Sequence, residues 1–191
     1  MGEVVITLSG ATQTMYKTLR EKYIAKYSAQ FGIDPLLFTA IVKHESRNFA
    51  RAERNDRSKL EGVAWVEDVI KTHTLDRTND LIFCSMGYGQ ILYLTAVDMG
   101  FIKWAKDRAV DPGPETILNI EVNLYWTAKF IAERIMKRYR KPEDIAAAYN
   151  AGNARWHDLD GDKKKDVDEP FYNQDYVDSV MSIYKSIGGK P

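Results

Sequence analysis

Pro35-Leu36-Leu37-Phe38-Thr39-Ala40-Ile41-Val42-Lys43-His44-Glu45-Ser46 is the stretch on which the reading of this chain turns. Asp34 supplies an N-cap side chain and Pro35 a first helical residue with φ already set, so a helix begins here. Phe38, Ile41 and Val42 form its apolar stripe, and Glu45 follows them on the same face. A carboxylate so placed must be paired, protonated or turned into a cleft, because burying an unpaired charge costs several kcal/mol. Pairing with Arg47 or Arg51 is the plain explanation, and a functional acid is the other.

Upstream, Met15, Leu19, Tyr23, Tyr27 and Phe31 recur every four residues, with Tyr16 and Ile24 on the flank, which predicts an amphipathic helix from Thr12 to Phe31. Gly32 suits its end. Downstream, residues 51–82 are less regular and highly charged, and read as a lobe holding a short helix and the few candidate strands. Ser85-Met86-Gly87-Tyr88-Gly89-Gln90-Ile91 reads as a tight loop whose two glycines let backbone approach a ligand, before a helix from about Tyr93 to Met99. From Ile117 through Ile120, Leu124, Ala128, Ile131 and Ile135 to Tyr139 the steps of three and four predict one long central helix ended by Pro142. A short helix over Glu143–Ala148 leads into Tyr149-Asn150-Ala151-Gly152, and Tyr176, Val177, Val180, Met181 and Tyr184 mark a last helix. No internal repeat is visible.

The chain has 191 residues, 45% of them apolar, enough for one domain with its own core. Its 27 basic and 27 acidic residues cancel, so bulk charge selects no nucleic acid partner. No apolar run reaches the roughly 20 residues that a membrane helix needs. Cys84, the one cysteine, forms no intramolecular disulfide and is expected to be a small buried side chain. Met1 to Thr7 lack the basic and apolar regions of a signal peptide and a myristoylation pattern.

Three pieces now stand in order: Glu45-Ser46 closing an apolar helix, Gly87-Tyr88-Gly89-Gln90-Ile91 before Thr95-Ala96, and Ala148-Tyr149-Asn150-Ala151-Gly152. Together with Asn119-Ile120 and the helix around Tyr176 they resemble the lytic transglycosylase family with the soluble-transglycosylase (SLT) domain. The resemblance covers roughly residues 20 to 187 of a single domain spanning 1–191, with 51–82 as an insertion between the first two motifs. It implies a mainly α, lysozyme-like orthogonal helical domain whose cleft holds a peptidoglycan strand. The bond cut would be the β-1,4 link from N-acetylmuramic acid to N-acetylglucosamine. Gly89 stands where the family usually has Met, and Leu94 where a proline often precedes the Thr-Ala pair.

Resemblance assigns Glu45 as general acid and then base, a role that needs a carboxyl whose pKa is raised by an apolar site. Most glycosidases use two carboxylates. The family resembled uses one, with the substrate's own C6 hydroxyl closing a 1,6-anhydro ring. A goose-type-lysozyme-like hydrolase would instead need a water-holding aspartate, for which Asp56, Asp68, Asp76 and Asp80 are candidates. A cleft that binds the wall without turnover is the third reading. Ser46, Gln90, Tyr149, Asn150 and Tyr176 are the candidate substrate-binding residues. Each has a bland alternative: a local hydrogen bond for Ser46, loop capping for Gln90, a turn asparagine for Asn150 and core aromatics for the tyrosines.

No cofactor is expected. Asp158, Asp160, Asp162, Asp166 and Glu169 have the spacing of a calcium loop, but Lys163 replaces its glycine and Lys163 to Lys165 can neutralise the acids, so a solvated loop is the favoured reading. His44, His73, His157 and Cys84 lack zinc-like spacing. A monomer acting on the bacterial wall is expected, delivered by phage lysis, a virion or a secretion machine.

Overall fold

The computed structural model describes residues 10–47, 53–158 and 169–190, with side chains from residue 18 onward. The fold is mainly helical, with one small sheet. Helix α1 (Gly10–Phe31) and helix α2 (Pro35–Ser46) lie where the periodicity predicts them. Met15 and Tyr16 fall outside the residues whose side chains are described. The Asp34 carboxylate caps α2, accepting from the Leu36 and Leu37 amides at 2.8 and 3.4 Å.

Next come β1 (Glu53–Asn55), α3 (Arg57–Leu60), α4 (Ala64–His73) and a 3₁₀ turn at Asp80–Phe83. Strands β2 (Cys84–Met86) and β3 (Ile91–Leu92) complete an antiparallel sheet in the order β1-β2-β3, with Glu53 opposite Met86 and Met86 opposite Ile91. The strands were expected within 51–82, yet two of the three come after it. Gly87 to Gln90 is thus a hairpin turn, and the Gln90 amide closes it by donating to the Gly87 carbonyl at 3.1 Å.

After α5 (Tyr93–Asp98) and α6 (Phe101–Lys106), the expected central helix divides into three pieces. Pro114–Leu118 is a 3₁₀ turn, α7 is Ile120–Phe130, and Ile131–Ile135 continues as a π-turn. Asn119 makes the first break: its side chain accepts from the Glu121 and Val122 amides, so it ends one element and caps the next. Apolar spacing runs through such a break because both pieces present the same face to the core. Pro142 does not merely stop a helix; it opens α8 (Pro142–Ala151), which carries Tyr149 and Asn150 within it. Helix α9 is Gln174–Ser186.

Two apolar clusters share α7. One gathers α1, α2, α8 and α9 around Leu124, Ala128 and Ile131, and the other gathers α4, the hairpin, α5 and α6 around Trp126. Cys84 is buried in the second cluster. Helix α9 clasps α2 at both ends. Tyr184 donates to Asp34 at 2.6 Å beside the N-terminus of α2, and Tyr176 donates to Glu45 at 2.6 Å near its C-terminus. The Tyr184 hydroxyl is pushed up to about 12 by burial and by the Asp34 carboxylate.

Candidate active site

Phe38, Ile41 and Val42 are fully buried, and Glu45, one turn further, is half-buried where α2 emerges from the core. Its carboxylate opens into a cleft of about 430 Å³ lined by Lys43, His44, Arg47, Arg54, Asn150 and Tyr176 among others. These residues come from the last turn of α2, from β1, from the end of α8 and from α9. Among the described residues lining the cleft, Glu45 is the one carboxylate.

Burial pushes the Glu45 carboxyl above the ordinary carboxylate value, while the Tyr176 hydrogen bond and the Arg54 charge pull it back. The net is upward, the direction that a proton donor needs near neutral pH. The ion-pair alternative receives no support from Arg47, which lines the cleft without pairing to Glu45, and Arg51 lies outside the described residues. Tyr176 is itself fixed from the side by His44, ring centres 4.5 Å apart and edge to face. Burial and the neighbouring Glu45 charge push the Tyr176 and Tyr149 hydroxyls well above the ordinary tyrosine value, so both are held as donors.

Removing the Tyr176 hydroxyl tests this electrostatic account. Activity that needs a protonated Glu45 falls as pH rises through its pKa, and Tyr176→Phe deletes an influence that lowers that pKa. The alkaline limb of the pH–rate profile is expected to move to higher pH, which a purely structural tyrosine would not cause. Rates on purified sacculi across a pH series measure it.

A second assembly stands behind the cleft. Tyr149 donates its hydroxyl to the Gly89 carbonyl, and Asn123, fully buried on α7, reaches the same turn with both ends of its amide. It accepts from the Gly89 amide at 2.8 Å and donates to the Met86 carbonyl at 2.7 Å. The turn packs so closely on α7 that a Cβ at Gly87 would strike Asn123, and one at Gly89 would strike Thr127. The departure at position 89 thus has a cause in this chain: Thr127 occupies the space a side chain there would need. Gln90 adopts φ 49° and donates its side-chain amide to the Gly87 carbonyl at 3.0 Å.

Asn150 and Tyr176 line the cleft with Glu45, whereas Gln90, Tyr149 and Ser46 do not. Tyr149 lies near enough for the Glu45 charge to bear on its hydroxyl. Asn150 is exposed and accepts from the Asn173 side chain at 3.0 Å. Ser46 is buried and donates to the Val42 carbonyl at 2.8 Å, the local helix-end bond.

Of the four aspartates considered for holding water, none lines the cleft. Burial works against ionisation of Asp56, but hydrogen bonds from Arg54 at 2.9 Å and Lys59 at 3.4 Å hold it below the ordinary carboxylate value. Asp76 caps Thr78, Asp80 pairs with Arg57, and Asp68 is exposed. Asp160, Asp162 and Asp166 lie outside the described residues; Glu169 is buried and Asp158 exposed.

Asn123, Thr127 and Arg54 escape a reading of the sequence. Asn123 and Thr127 did leave a signal, two polar residues four apart on an otherwise apolar helix, hence on one face. Arg54 left none, since it sits in a charged run.

A profile of the transglycosylase SLT domain matches residues 22–170. The chain belongs to the SLT-domain family. No curated protein and no solved structure gives a match. The matched span holds Glu45, the hairpin turn and Tyr149-Asn150, while Tyr176 lies beyond its end. The helical architecture is that of the lysozyme-like SLT domain, and the family's members are lytic transglycosylases acting on the peptidoglycan of the cell wall. Among the described residues, no helix of this SLT domain is long and apolar enough to cross a membrane.

Proposed function

We propose that this chain is a peptidoglycan lytic transglycosylase in which Glu45 protonates the oxygen leaving from the muramic acid C1 and then, as carboxylate, takes the proton of the C6 hydroxyl. The C6 oxygen closes on C1, giving N-acetylglucosamine at one end and a 1,6-anhydromuramic acid at the other, with water consumed nowhere. The proton lost by Glu45 in the first step is regained in the second, so the site returns to its starting state.

One observation carries the reading: within the described lining of the cleft, a single carboxylate stands half-buried with its pKa raised and a tyrosine hydroxyl bonded to it. A hydrolase that holds water with a second carboxylate needs a partner group there. The four aspartates weighed for that task are engaged or turned away elsewhere. Asn150 and Tyr176 are proposed to flank the muramic acid, with Gln90 and Tyr149 setting the hairpin that borders it. The steps as written use Glu45 and the substrate's own groups alone, in a monomer.

Mass spectrometry of the fragments released from purified peptidoglycan tests this. Anhydromuramic ends are the expected product. Reducing muramic ends would instead make the protein a muramidase, and no fragments from several wall types would make it a binding module.

A further inference from the structure

The chain as a whole carries no net charge, yet the described cleft around Glu45 is lined by three permanent cations, Lys43, Arg47 and Arg54, together with His44. Arg54 is tied to Asp56 at 2.9 Å. Lys43 and Arg47 have no carboxylate partner among the described residues; the ion pairs form elsewhere. They stand on either side of Glu45 in sequence at the C-terminal end of α2, and both line the same cleft with it. Arg47 is held in the left-handed region, φ 45°, as the residue that ends the helix. The field of these cations is felt inside the site: Arg47 adds to the burial that disfavours a charged His44, and Arg54 acts on Glu45 and both tyrosines.

Cations gathered at one side of a cleft call for an anion in what binds there. The sugars of a glycan strand offer only hydroxyl and acetamido groups. Muramic acid, however, bears on its C3 oxygen a lactyl group, and through it a peptide whose free carboxylates are the anions nearest the reacting C1. Resting on the transglycosylase reading, we infer that Lys43 and Arg47 bind a free carboxylate of the peptide stem on the muramic acid at Glu45. The protein is thereby selective for glycan that still carries acidic stems. A phosphate polymer is the other anion found on such strands. Esterified to the C6 oxygen, it would block the atom that must close the anhydro ring, which is why the stem carboxylate is favoured.

Initial rates at low substrate concentration are compared on three soluble glycan strands: one with its stems intact, one with stem carboxylates converted to amides by carbodiimide coupling, and one with intact stems that also bears phosphate polymer. The wild-type chain is expected to cleave the intact strand about tenfold faster than the amidated one, the scale of two charge-assisted contacts in a half-open cleft. In Lys43→Gln/Arg47→Gln that ratio should fall toward one. Both side chains lie at a helix C-terminus, where cations are favoured by the helix dipole. The single variant Lys43→Gln, with its melting temperature recorded, keeps the test open if the double variant does not fold.

Equal wild-type rates on acidic and amidated stems overturn the inference, as does a preference that survives in the variants. A preference for strands bearing phosphate polymer would assign the cations to phosphate and overturn it too. Cleavage of none of the strands by the wild-type chain would overturn the transglycosylase reading itself, and this inference with it.

Discussion

Glu45→Gln is expected to slow glycan cleavage by about 10²–10⁴-fold, the usual contribution of a positioned general acid–base group. The glutamine keeps the shape of the side chain and its carbonyl still accepts from the Tyr176 hydroxyl, so the fold is retained and the loss is chemical. Stability moves the opposite way. Burial raises the Glu45 pKa in the folded chain. The folded protein therefore binds a proton where the unfolded chain has released it, and stability falls as pH rises from the unfolded pKa through the folded one. Glutamine does not titrate. The Glu45→Gln chain is accordingly expected to melt higher than wild type at neutral pH, with the gap closing in acid below the unfolded value. Calorimetry at pH 7 and pH 4, beside rates on sacculi, reads both effects. A variant that digests sacculi at the wild-type rate would remove Glu45 from the mechanism.

Gly87→Ala is expected to cost about 3 kcal/mol or more, from two sources that act together. The residue holds φ 72°, where an L side chain is strained by about 1–2 kcal/mol, and its new Cβ would strike the Asn123 amide. Asn123 has little room to yield, because both ends of its amide are committed to the same hairpin through the Gly89 amide and the Met86 carbonyl. Displacing it would leave those buried groups unpaired. In a chain of this length each kcal/mol lowers the melting temperature by about 2–4 °C, so a fall of about 6–12 °C or more is expected. Activity should fall with it even below the melting transition, since Tyr149 is anchored on the next glycine of the turn. Thermal unfolding by circular dichroism measures the first effect. A wild-type melting temperature for Gly87→Ala would show that the hairpin is not held against α7 as described.

The sequence by itself determined the helices that surround the site and the acid within it. Asp34-Pro35 set the start of α2, the spacing of Phe38, Ile41 and Val42 set its buried face, and that spacing alone placed a carboxylate where a charge is uncomfortable. Such facts are local: caps, proline geometry and the 3.6-residue period act over one or two turns. The division of the expected central helix at Asn119 and Ile131 was not legible, because an apolar period continues across a break when the pieces share a core face. Nor was the sheet, whose pairing of β1 with β2 joins residues about thirty apart through a register that no short stretch contains.

Only the tertiary structure decided what surrounds Glu45. Tyr176 lies 131 residues away and meets it because α9 packs along α2, tied at the far end by Tyr184 and Asp34. Asn123 and Thr127 read as ordinary positions of a helix until the Gly87–Gln90 turn is laid against them. Arg54 gains its influence from the strand pairing that brings β1 to the cleft. The charge balance of the chain is a sum over all residues and is blind to position. Lys43 and Arg47 flank Glu45 within a few residues of sequence, but that they open with it into one cleft, and that Arg54 joins them there from β1, is decided by how α2, β1 and α9 fold together.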